Sequence, residues 1–372
     1  MASGLALAAV ATLSTAALAA CSTSPANTAT TTSAITSNAV WRQLTLSSAR
    51  AAFESYVAIT SRAAATGNRK LAESVLSGAA RDTTSAALTI ARRSQVTPPY
   101  TQYAYGTPTF YLPQPPSAGE PQYFVVSVER TPVSGTTPMT PSGQDVAAGV
   151  QLPAAGRFLL LFEKSAAGGA WQLASASQLS AGESVPALAT DGHGYVITQS
   201  FNKPSGAPLV TPALTPPLQA SVVDDGPTSA AAQVVAGGPL TTGLYQENEA
   251  SARGITAPRG DVYQWLLEGS NYGRLAVKTA NGGALVFYTM YLDTTVETQS
   301  ALNQDIPITP GPPIAVPGFV RTLLAPKFWA PQKRLEVQDI LTFAAIDPPS
   351  ADKSAKIQVI AIGGGVYTAS AS

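Results

Sequence analysis

The sequence predicts an α+β fold made of two helix-then-sheet domains. Small and apolar residues recur with a period of about 3.6 over residues 49–93, which indicates helices. Residues 103–178 then carry aromatic and β-branched segments that are typical of strands. The same order, helices before strands, returns over residues 226–372. Helices covering one face of an antiparallel sheet define the α+β class. We therefore expect two repeats, each a helical block followed by a curved antiparallel sheet.

The first 21 residues predict export and a lipid anchor. Leu5–Ala20 carries no charge and is shorter than the roughly 20 residues of a membrane-spanning helix. It ends in Leu18-Ala19-Ala20-Cys21, and Cys21 is the single cysteine of the chain. This ending resembles the lipobox of bacterial lipoproteins, in which the cysteine is joined to diacylglycerol and becomes the mature N-terminus. The resemblance implies a signal peptide over residues 1–20, lipidation of Cys21 and attachment to the extracytoplasmic face of the cell membrane.

Two other interpretations of this leader stay open. One is an ordinary signal peptide with an incidental cysteine, and the other is a retained signal anchor. No Lys or Arg precedes the apolar run, since the chain starts Met-Ala-Ser-Gly, and this departs from the basic start that such leaders usually have.

Composition excludes several kinds of partner and site. Lys plus Arg and Asp plus Glu both number 22, whereas a nucleic-acid binder carries a basic excess, so we expect no nucleic-acid partner. A single cysteine excludes an internal disulfide. Because the chain also has only 1 histidine, no His/Cys metal site is expected, and no motif indicates a cofactor.

Changes in composition divide the rest of the chain into four parts. Residues 21–40 contain the cysteine and an uncharged stretch rich in Ser, Thr and Ala, which predicts a flexible tether because little of it can be buried. Residues 41–180 form the first predicted α+β domain, and residues 226–372 form the second. Residues 181–225 are rich in Pro and Gly and are expected to be a connector that packs on the surface.

The first domain begins with three predicted helices. Ser47 is the expected N-cap of the first helix, Asn68 caps a second over Arg69–Ser77, and the third covers Ala79–Arg93. The strands predicted after them are Tyr103–Leu112, Tyr123–Arg130, Arg157–Glu163 and Trp171–Gln178.

The second domain repeats this order. Leu240–Arg253 is the better of its helical segments. Asn281-Gly282 between two apolar runs indicates a β-hairpin, because both central residues of such a turn need positive φ. Gly363-Gly364-Gly365 indicates a bend or bulge in the last strand. The predicted strands are Tyr263–Leu267, Arg274–Ala280, Ala284–Leu292, Arg321–Trp329, Leu335–Ile346 and Lys356–Ile362.

The order of elements resembles the cone-shaped NTF2-like or cystatin-like fold, here present twice. Five segments also resemble successive blocks of an actinobacterial lipoprotein family: SSARAAFESYVAITSRAAATGN, FYLPQPPSAGEPQYFVVSV, LPAAGRFLLLFEKSAAGGAWQLA, VPALATDGHGY and LAVKTANGGALVFYTM. The family resemblance implies export and lipidation at Cys21, and it carries no catalytic or ligand-binding residue with it.

Residues suited to catalysis are scarce. His193 lies between two glycines, in a predicted turn, and no G-x-S-x-G motif exists to pair with it, so we expect an exposed loop residue rather than a catalytic base. Asp224-Asp225 is interpreted as an acidic turn, since adjacent carboxylates alone do not hold Ca²⁺. No catalytic residue is therefore assigned, and Cys21 is the only predicted site residue.

These observations favour a non-enzymatic protein that binds or assembles in the cell envelope. We expect its partner to be another envelope protein or a hydrophobic small molecule. Aromatic residues are expected to form core, or else to line an apolar pocket: Tyr100, Tyr103, Tyr105, Phe110, Tyr111, Phe287, Tyr288 and Tyr291. The alternatives are a cone-fold hydrolase or isomerase acting in an apolar pocket, and a structural surface spacer or adhesin-like protein.

Overall fold

The computed structural model describes residues 43–95, 101–116, 120–133, 155–165, 169–202, 207–259, 261–298 and 313–372, and these form six helices and a ten-stranded antiparallel sheet. The helices are α1 (Leu46–Thr66), α2 (Arg69–Glu73), α3 (Gly78–Arg93), α4 (Thr215–Asp225), α5 (Leu244–Arg259) and α6 (Gly318–Leu323). The strands are β1 (Tyr103–Tyr105), β2 (Thr109–Tyr111), β3 (Gln122–Pro132), β4 (Gly156–Lys164), β5 (Gln172–Leu179), β6 (Val262–Gly269), β7 (Leu275–Lys278), β8 (Ala284–Glu297), β9 (Arg334–Asp347) and β10 (Gln358–Ala371). The α+β class is confirmed.

The N-cap of helix α1 lies two residues earlier than predicted. Thr45, not Ser47, is the N-cap, and its hydroxyl accepts a 3.2 Å hydrogen bond from the Ser48 amide. The Ser48 hydroxyl lies near the Thr45 amide in return, which completes a capping box. Gly67 ends the helix at φ 64°, in the left-handed region that glycine enters without a Cβ penalty.

The strands follow the order β1-β3-β4-β5-β10-β9-β8-β6, with β2 also paired to β3 and β7 also paired to β8. The last strand of the first half, β5, pairs with the last strand of the second half, β10, in the middle of the sheet, where Leu179 is opposite Ala361. The predicted Asn281-Gly282 hairpin is confirmed by the antiparallel pairing of β7 with β8. All of these elements lie within one compact unit, Ala39–Ser372.

The glycines of β10 allow this central pairing. A Cβ on Gly363 would lie 1.9 Å from the Ala176 carbonyl oxygen, and a Cβ on Gly364 would lie 1.9 Å from the Ile340 carbonyl oxygen. Register shifts flank the segment, between Val359 and Ala361 and again between Val366 and Thr368. The predicted irregularity in the last strand is therefore present, and its role is to let three backbones approach closely.

Alternation along the strands divides the core between two faces of the sheet. On β3, Phe124 and Val126 belong to the cluster under α1, whereas Val125 belongs to a second cluster with Val277 and Phe287 of the other half. This second cluster also contains Val196 of the predicted connector. The predicted connector therefore packs as a layer on the sheet face opposite the helices of the first half.

Backbone hydrogen bonds hold this layer to both halves of the sheet. The Val196 amide donates to Leu112 O at 2.8 Å, and the Gln199 amide donates to Ala276 O at 2.8 Å. The Ala189 amide donates to Lys278 O at 2.9 Å. The connector thus pairs with the end of β2 and with β7 through single pairs of residues, and it forms no regular strand there.

Two stretches differ from their predicted conformation. The end of the predicted connector is helix α4, which starts with two prolines in its first turn, where missing amides cost nothing. Arg321–Trp329 was expected to be a strand, and that prediction is wrong. Helix α6 begins after Pro317 there, and Pro326 starts a short 3₁₀ turn. Four apolar side chains in that stretch resemble a strand pattern, but prolines on both sides favour short helical turns.

Candidate functional site

The predicted site residue Cys21 lies outside the described residues, as do the leader, the tether and Tyr100. His193 lies exposed in a turn, where its backbone amide donates a 2.9 Å hydrogen bond to Asp191 Oδ1. The pKa of Asp191 is lowered mainly by the hydrogen bond that the side-chain amide of Gln114 donates to Asp191 Oδ2. In the described residues, none of the hydrogen bonds of this turn joins the His193 side chain to a nucleophile.

Asp224 and Asp225 do not converge on one point. Asp224 Oδ1 accepts a 2.9 Å hydrogen bond from the Leu267 amide on strand β6, and Asp225 Oδ2 accepts a 3.0 Å bond from the Ser221 hydroxyl. Burial raises the pKa of Asp224 to about 6. Asp224 thus covers a backbone amide at the end strand of the sheet, which is a way to protect an open edge.

Part of the predicted aromatic set is core: Phe287 and Tyr288 are buried, and Tyr105, Phe110 and Tyr111 are partly buried against the core. Phe53 of α1 meets Tyr105 and Phe110 edge to face, with ring centroids 5.6 Å and 6.1 Å apart. Arg130 lies over the ring of Phe158, 3.6 Å from its centroid. The interior of the first half is therefore filled by aromatic side chains that pack on one another.

An apolar cavity lies between the connector layer and the sheet. Its accessible space fits about one water molecule, so it is not a ready-made pocket for a larger ligand. Its lining comes from both halves and from the layer itself: Tyr111, Pro113, Val125, Leu159, Val185, Leu188, Val196, Val277, Leu285 and Phe287.

The most unusual chemistry lies in the second half, on strand β9. Asp339 is completely buried, and both of its carboxylate oxygens lack a hydrogen-bond partner. It shares a sheet face with Val337 and Leu341, because side chains two residues apart point the same way. Burial, and then repulsion from Asp293, raises the pKa of Asp339 to about 7. A fully buried carboxyl without a partner is exceptional, because such groups are normally paired.

Asp339 belongs to a group of polar side chains that are linked through Tyr263, and we call this group the Asp339 cluster: Asp339, Asn248, Tyr263 and Thr294. The Tyr263 hydroxyl donates to Asn248 Oδ1 at 3.4 Å. Asn248 of α5 is fully buried, and its Nδ2 has no acceptor. Thr294 Oγ1 has no well-aligned hydrogen bond, although it and Ser251 lie close enough to the Tyr263 hydroxyl to lower its pKa against the effect of burial. The cluster thus offers unused donors and acceptors inside the protein.

The strands position these groups through their register. Asp339 pairs with Leu292 of β8, so Thr294 is its diagonal neighbour on the same face. Thr294 in turn pairs with Trp265 of β6, and the rings of Trp265 and Tyr263 lie 6.0 Å apart. Burial is the main cause that raises the pKa of Tyr263, and the charge of Asp339 adds to it. The Tyr263 hydroxyl therefore lies within electrostatic reach of Asp339.

A second buried network nearby is complete. The Tyr288 hydroxyl donates a 2.6 Å hydrogen bond to Gln219 Oε1, and Gln219 Nε2 donates to Leu240 O at 2.9 Å. Both side chains are buried. The same helical layer therefore satisfies one polar network fully and leaves the other open.

Sequence reasoning missed the Asp339 cluster, although a signal for it was present. Alternation along β9 places Asp339 in register with Leu335, Val337, Leu341 and Phe343, so a charged residue stands where an apolar one is expected. Asn248 likewise follows Leu244 by one helical turn, on the face of α5 that is buried.

Two broader searches of the described residues gave no site. No group of three or more His, Cys, Asp or Glu side chains in them is arranged to hold a metal ion. None of the helices among them is long and apolar enough to cross a membrane.

Comparison with known proteins places the chain in a family whose activity is undescribed. No curated protein and no solved structure matches it. A family model described as a domain of unknown function, DUF8094, matches residues 41–371. Since this match covers nearly all of the folded chain, the protein belongs to the DUF8094 family.

Proposed function

We propose that this protein is an exported lipoprotein, anchored through a diacylglycerol on Cys21, that binds a ligand or an envelope partner on the extracytoplasmic side of the cell membrane. The lone cysteine behind an apolar leader supports the anchor. The family match begins at residue 41, after the predicted tether, and this agrees with a division into leader, tether and body.

The single observation that carries the binding role is the open Asp339 cluster. Buried donors and acceptors without partners cost about 1–3 kcal/mol each, so a protein retains them where a ligand completes their bonds. In the described residues the other large polar network of the second half is already complete, through Tyr288 and Gln219. The cluster is therefore the best supported place for recognition of a small molecule.

The anchor is tested by metabolic labelling with a palmitate analogue. Wild type is expected to incorporate the label and to remain with membranes, whereas Cys21→Ser loses both. Ser24→Ala, three residues further on, is the matched control and should label like wild type. A wild-type protein that stays unlabelled contradicts the anchor.

The binding role is tested by recovering the protein from native membranes under mild conditions. Mass spectrometry should find a small molecule or an envelope protein in the wild-type sample. Asn248→Leu, which removes the open amide, should lower recovery of a small molecule at least about tenfold, as expected for losing a buried hydrogen-bond set. Equal recovery with both proteins contradicts a role for the cluster.

A second candidate function is an enzyme that uses the same residues. A carboxyl whose pKa is about 7, placed beside a tyrosine and aromatic rings, has the properties of a general base. Turnover of a co-purified small molecule that is lost in Asp339→Asn favours this candidate, and binding without turnover favours the non-enzymatic role.

We also propose that the two halves are repeats of one NTF2-like unit that share a sheet. The support is their matching connectivity. In the first half β1 and β2 both pair with β3, followed by β4 and β5, and in the second half β6 and β7 both pair with β8, followed by β9 and β10. In both halves helices precede the strands. Sequence profiles built from each half of many family members should align β3 with β8, and failure to align contradicts the repeat.

A further inference from the structure

The charge of the Asp339 cluster limits what can complete it. Both oxygens of Asp339 are buried and without partners, and the charged group that acts on it is another carboxylate, Asp293. A buried carboxylate is stable only when it is paired with a positive charge or when it takes up a proton. The missing partner of Asp339 is therefore either a proton or a cation from outside the described residues.

The surroundings of the carboxyl favour an organic cation over a metal ion. Asp339 is the only carboxylate of the cluster, and no metal-holding group occurs in the described part of the chain. The aromatic rings of Tyr263, Trp265 and Tyr245 form a row, with neighbouring centroids 6.0 Å and 6.3 Å apart. Carboxylates and aromatic rings together are suited to an ammonium group, which is attracted to both.

The unpaired polar atoms of Thr294 and Asn248 indicate which further groups the ligand carries. Thr294 Oγ1 is an acceptor for an ammonium hydrogen, since it is the diagonal neighbour of Asp339. Asn248 Nδ2 is a donor, so it needs an acceptor on the ligand. A molecule that carries both an ammonium group and a separate oxygen acceptor offers a partner to each of the three residues.

We propose that the Asp339 cluster binds a small primary amine that also carries a hydroxyl or carbonyl oxygen, with the ammonium group on Asp339 and Thr294 and the oxygen on Asn248. This inference rests on the proposed binding function and specifies the ligand for it. The ammonium group competes with a proton for Asp339. The titratable groups that surround Asp339 are Tyr263 of β6 and Asp293 of β8, and its neighbour on β10 is Val366.

The competition gives binding a defined pH dependence. Because the pKa of Asp339 is raised to about 7, its carboxylate form falls from about nine-tenths at pH 8 to about one-tenth at pH 6. Amine binding is therefore expected to be about tenfold weaker at pH 6 than at pH 8.

The experiment uses purified full-length protein and three probes of similar size: ethanolamine, ethylammonium and ethylene glycol. Calorimetry and the rise in melting temperature report binding. Ethanolamine is expected to bind best, ethylammonium more weakly, and ethylene glycol not at all. Asp339→Asn should lose at least about tenfold in ethanolamine affinity and its pH dependence, since the charge is removed without a change of shape.

Asp347→Asn is the matched control, because Asp347 is another buried carboxyl on β9 whose pKa burial raises to about 7, and it lies outside the cluster. It should bind ethanolamine like wild type. If Asp339→Asn does not fold, Thr294→Val replaces it, with the same expected loss. Equal binding of ethylene glycol, an equal loss in Asp347→Asn, or no binding of any amine at pH 8 overturns the proposal.

Failure of this inference and failure of the proposed function give different results. A neutral molecule that co-purifies with wild type and is lost in Asn248→Leu overturns the proposal that the ligand is an amine, but it leaves the proposed binding function intact. Palmitate labelling of Cys21 is independent of both outcomes.

Discussion

The Tyr272 hydroxyl donates a 2.7 Å hydrogen bond to Asp82 Oδ2, joining residues 190 positions apart in the chain. Asp82 lies on α3, and Tyr272 lies in the loop between β6 and β7, so the bond connects the helices of the first half to the sheet of the second. The ring of Tyr272 also contacts that of Tyr291, with centroids 5.9 Å apart. Burial, followed by the bond to Asp82, raises the pKa of the Tyr272 hydroxyl.

Removing this hydroxyl should weaken the contact between the halves. Tyr272→Phe is expected to lower the free energy of unfolding by about 1 kcal/mol, less than the roughly 1.5–3 kcal/mol of a buried bond to a charged group, because the site is partly exposed. Urea unfolding measures the change, and Tyr367→Phe, at an exposed tyrosine, should be neutral. In a double-mutant cycle with Asp82→Asn, strictly additive losses contradict a direct interaction.

The close approach at the centre of the sheet should not tolerate a side chain. Gly363→Ala places a Cβ 1.9 Å from the Ala176 carbonyl oxygen, so β5 and β10 must separate. We expect a loss of at least about 2 kcal/mol in unfolding free energy. Gly254→Ala is the control, since its Cβ meets no atom within 4 Å, and Ala is about 0.5–1 kcal/mol better than Gly in a helix. Similar stabilities for the two variants contradict this account of the glycines.

Asp339 should make the protein less stable as the pH rises. Burial raises its pKa from the ordinary 3.8 to about 7, so between these values the folded protein binds a proton that the unfolded chain has released. The neutral carboxyl therefore contributes its whole stabilisation below about pH 4. As the pH rises to about 7 this contribution is lost, and the free energy of unfolding falls by a few kcal/mol. Asp339→Asn should be little different from wild type at pH 4 and more stable at pH 8, as measured by urea unfolding.

Asp191 is the control, because its pKa is shifted in the opposite direction from that of Asp339. Its hydrogen bonds, first that from Gln114, lower its pKa, so its contribution to stability is present above the unfolded pKa and is lost as the pH falls. Asp191→Asn should therefore weaken the protein at neutral pH relative to acid. A difference between wild type and Asp339→Asn that is constant from pH 4 to pH 8 contradicts the raised pKa of Asp339.

The complete network of Tyr288 and Gln219 should be sensitive to loss of one hydroxyl. Tyr288→Phe leaves Gln219 Oε1 buried without its 2.6 Å donor, which should cost about 1–3 kcal/mol of unfolding stability. Gln219→Leu in the same background removes the orphaned amide and should restore part of the loss, since an apolar pair of similar shape needs no partner. Thermal and urea unfolding test both variants, and an undiminished stability of Tyr288→Phe contradicts the role of the network.

Regular patterns made much of the fold predictable. The aromatic and β-branched residues of YFVVSVER predicted β3 within two residues at each end, and Asn281-Gly282 predicted the turn between β7 and β8. Helices α4 and α6 were missed because prolines flank or begin them, and Pro is a stronger signal for a loop than for the first turn of a helix. The order of helices before strands in each half was visible in the sequence, but the pairing of β5 with β10 was not, since that pairing joins residues 182 and 184 positions apart in the chain.

The sequence by itself determined the class of fold, the order of most helices and strands, and an uncharged apolar run that precedes the single cysteine, Cys21. These follow from local periodicity, capping residues and apolar runs, which act between near neighbours in the chain. Tertiary structure alone decided that the two halves pair edge to edge into one sheet, and that a layer of connector covers its second face. It also decided that Asp339 is fully buried without a hydrogen-bond partner and within electrostatic reach of Tyr263, because only packing removes a carboxyl from water.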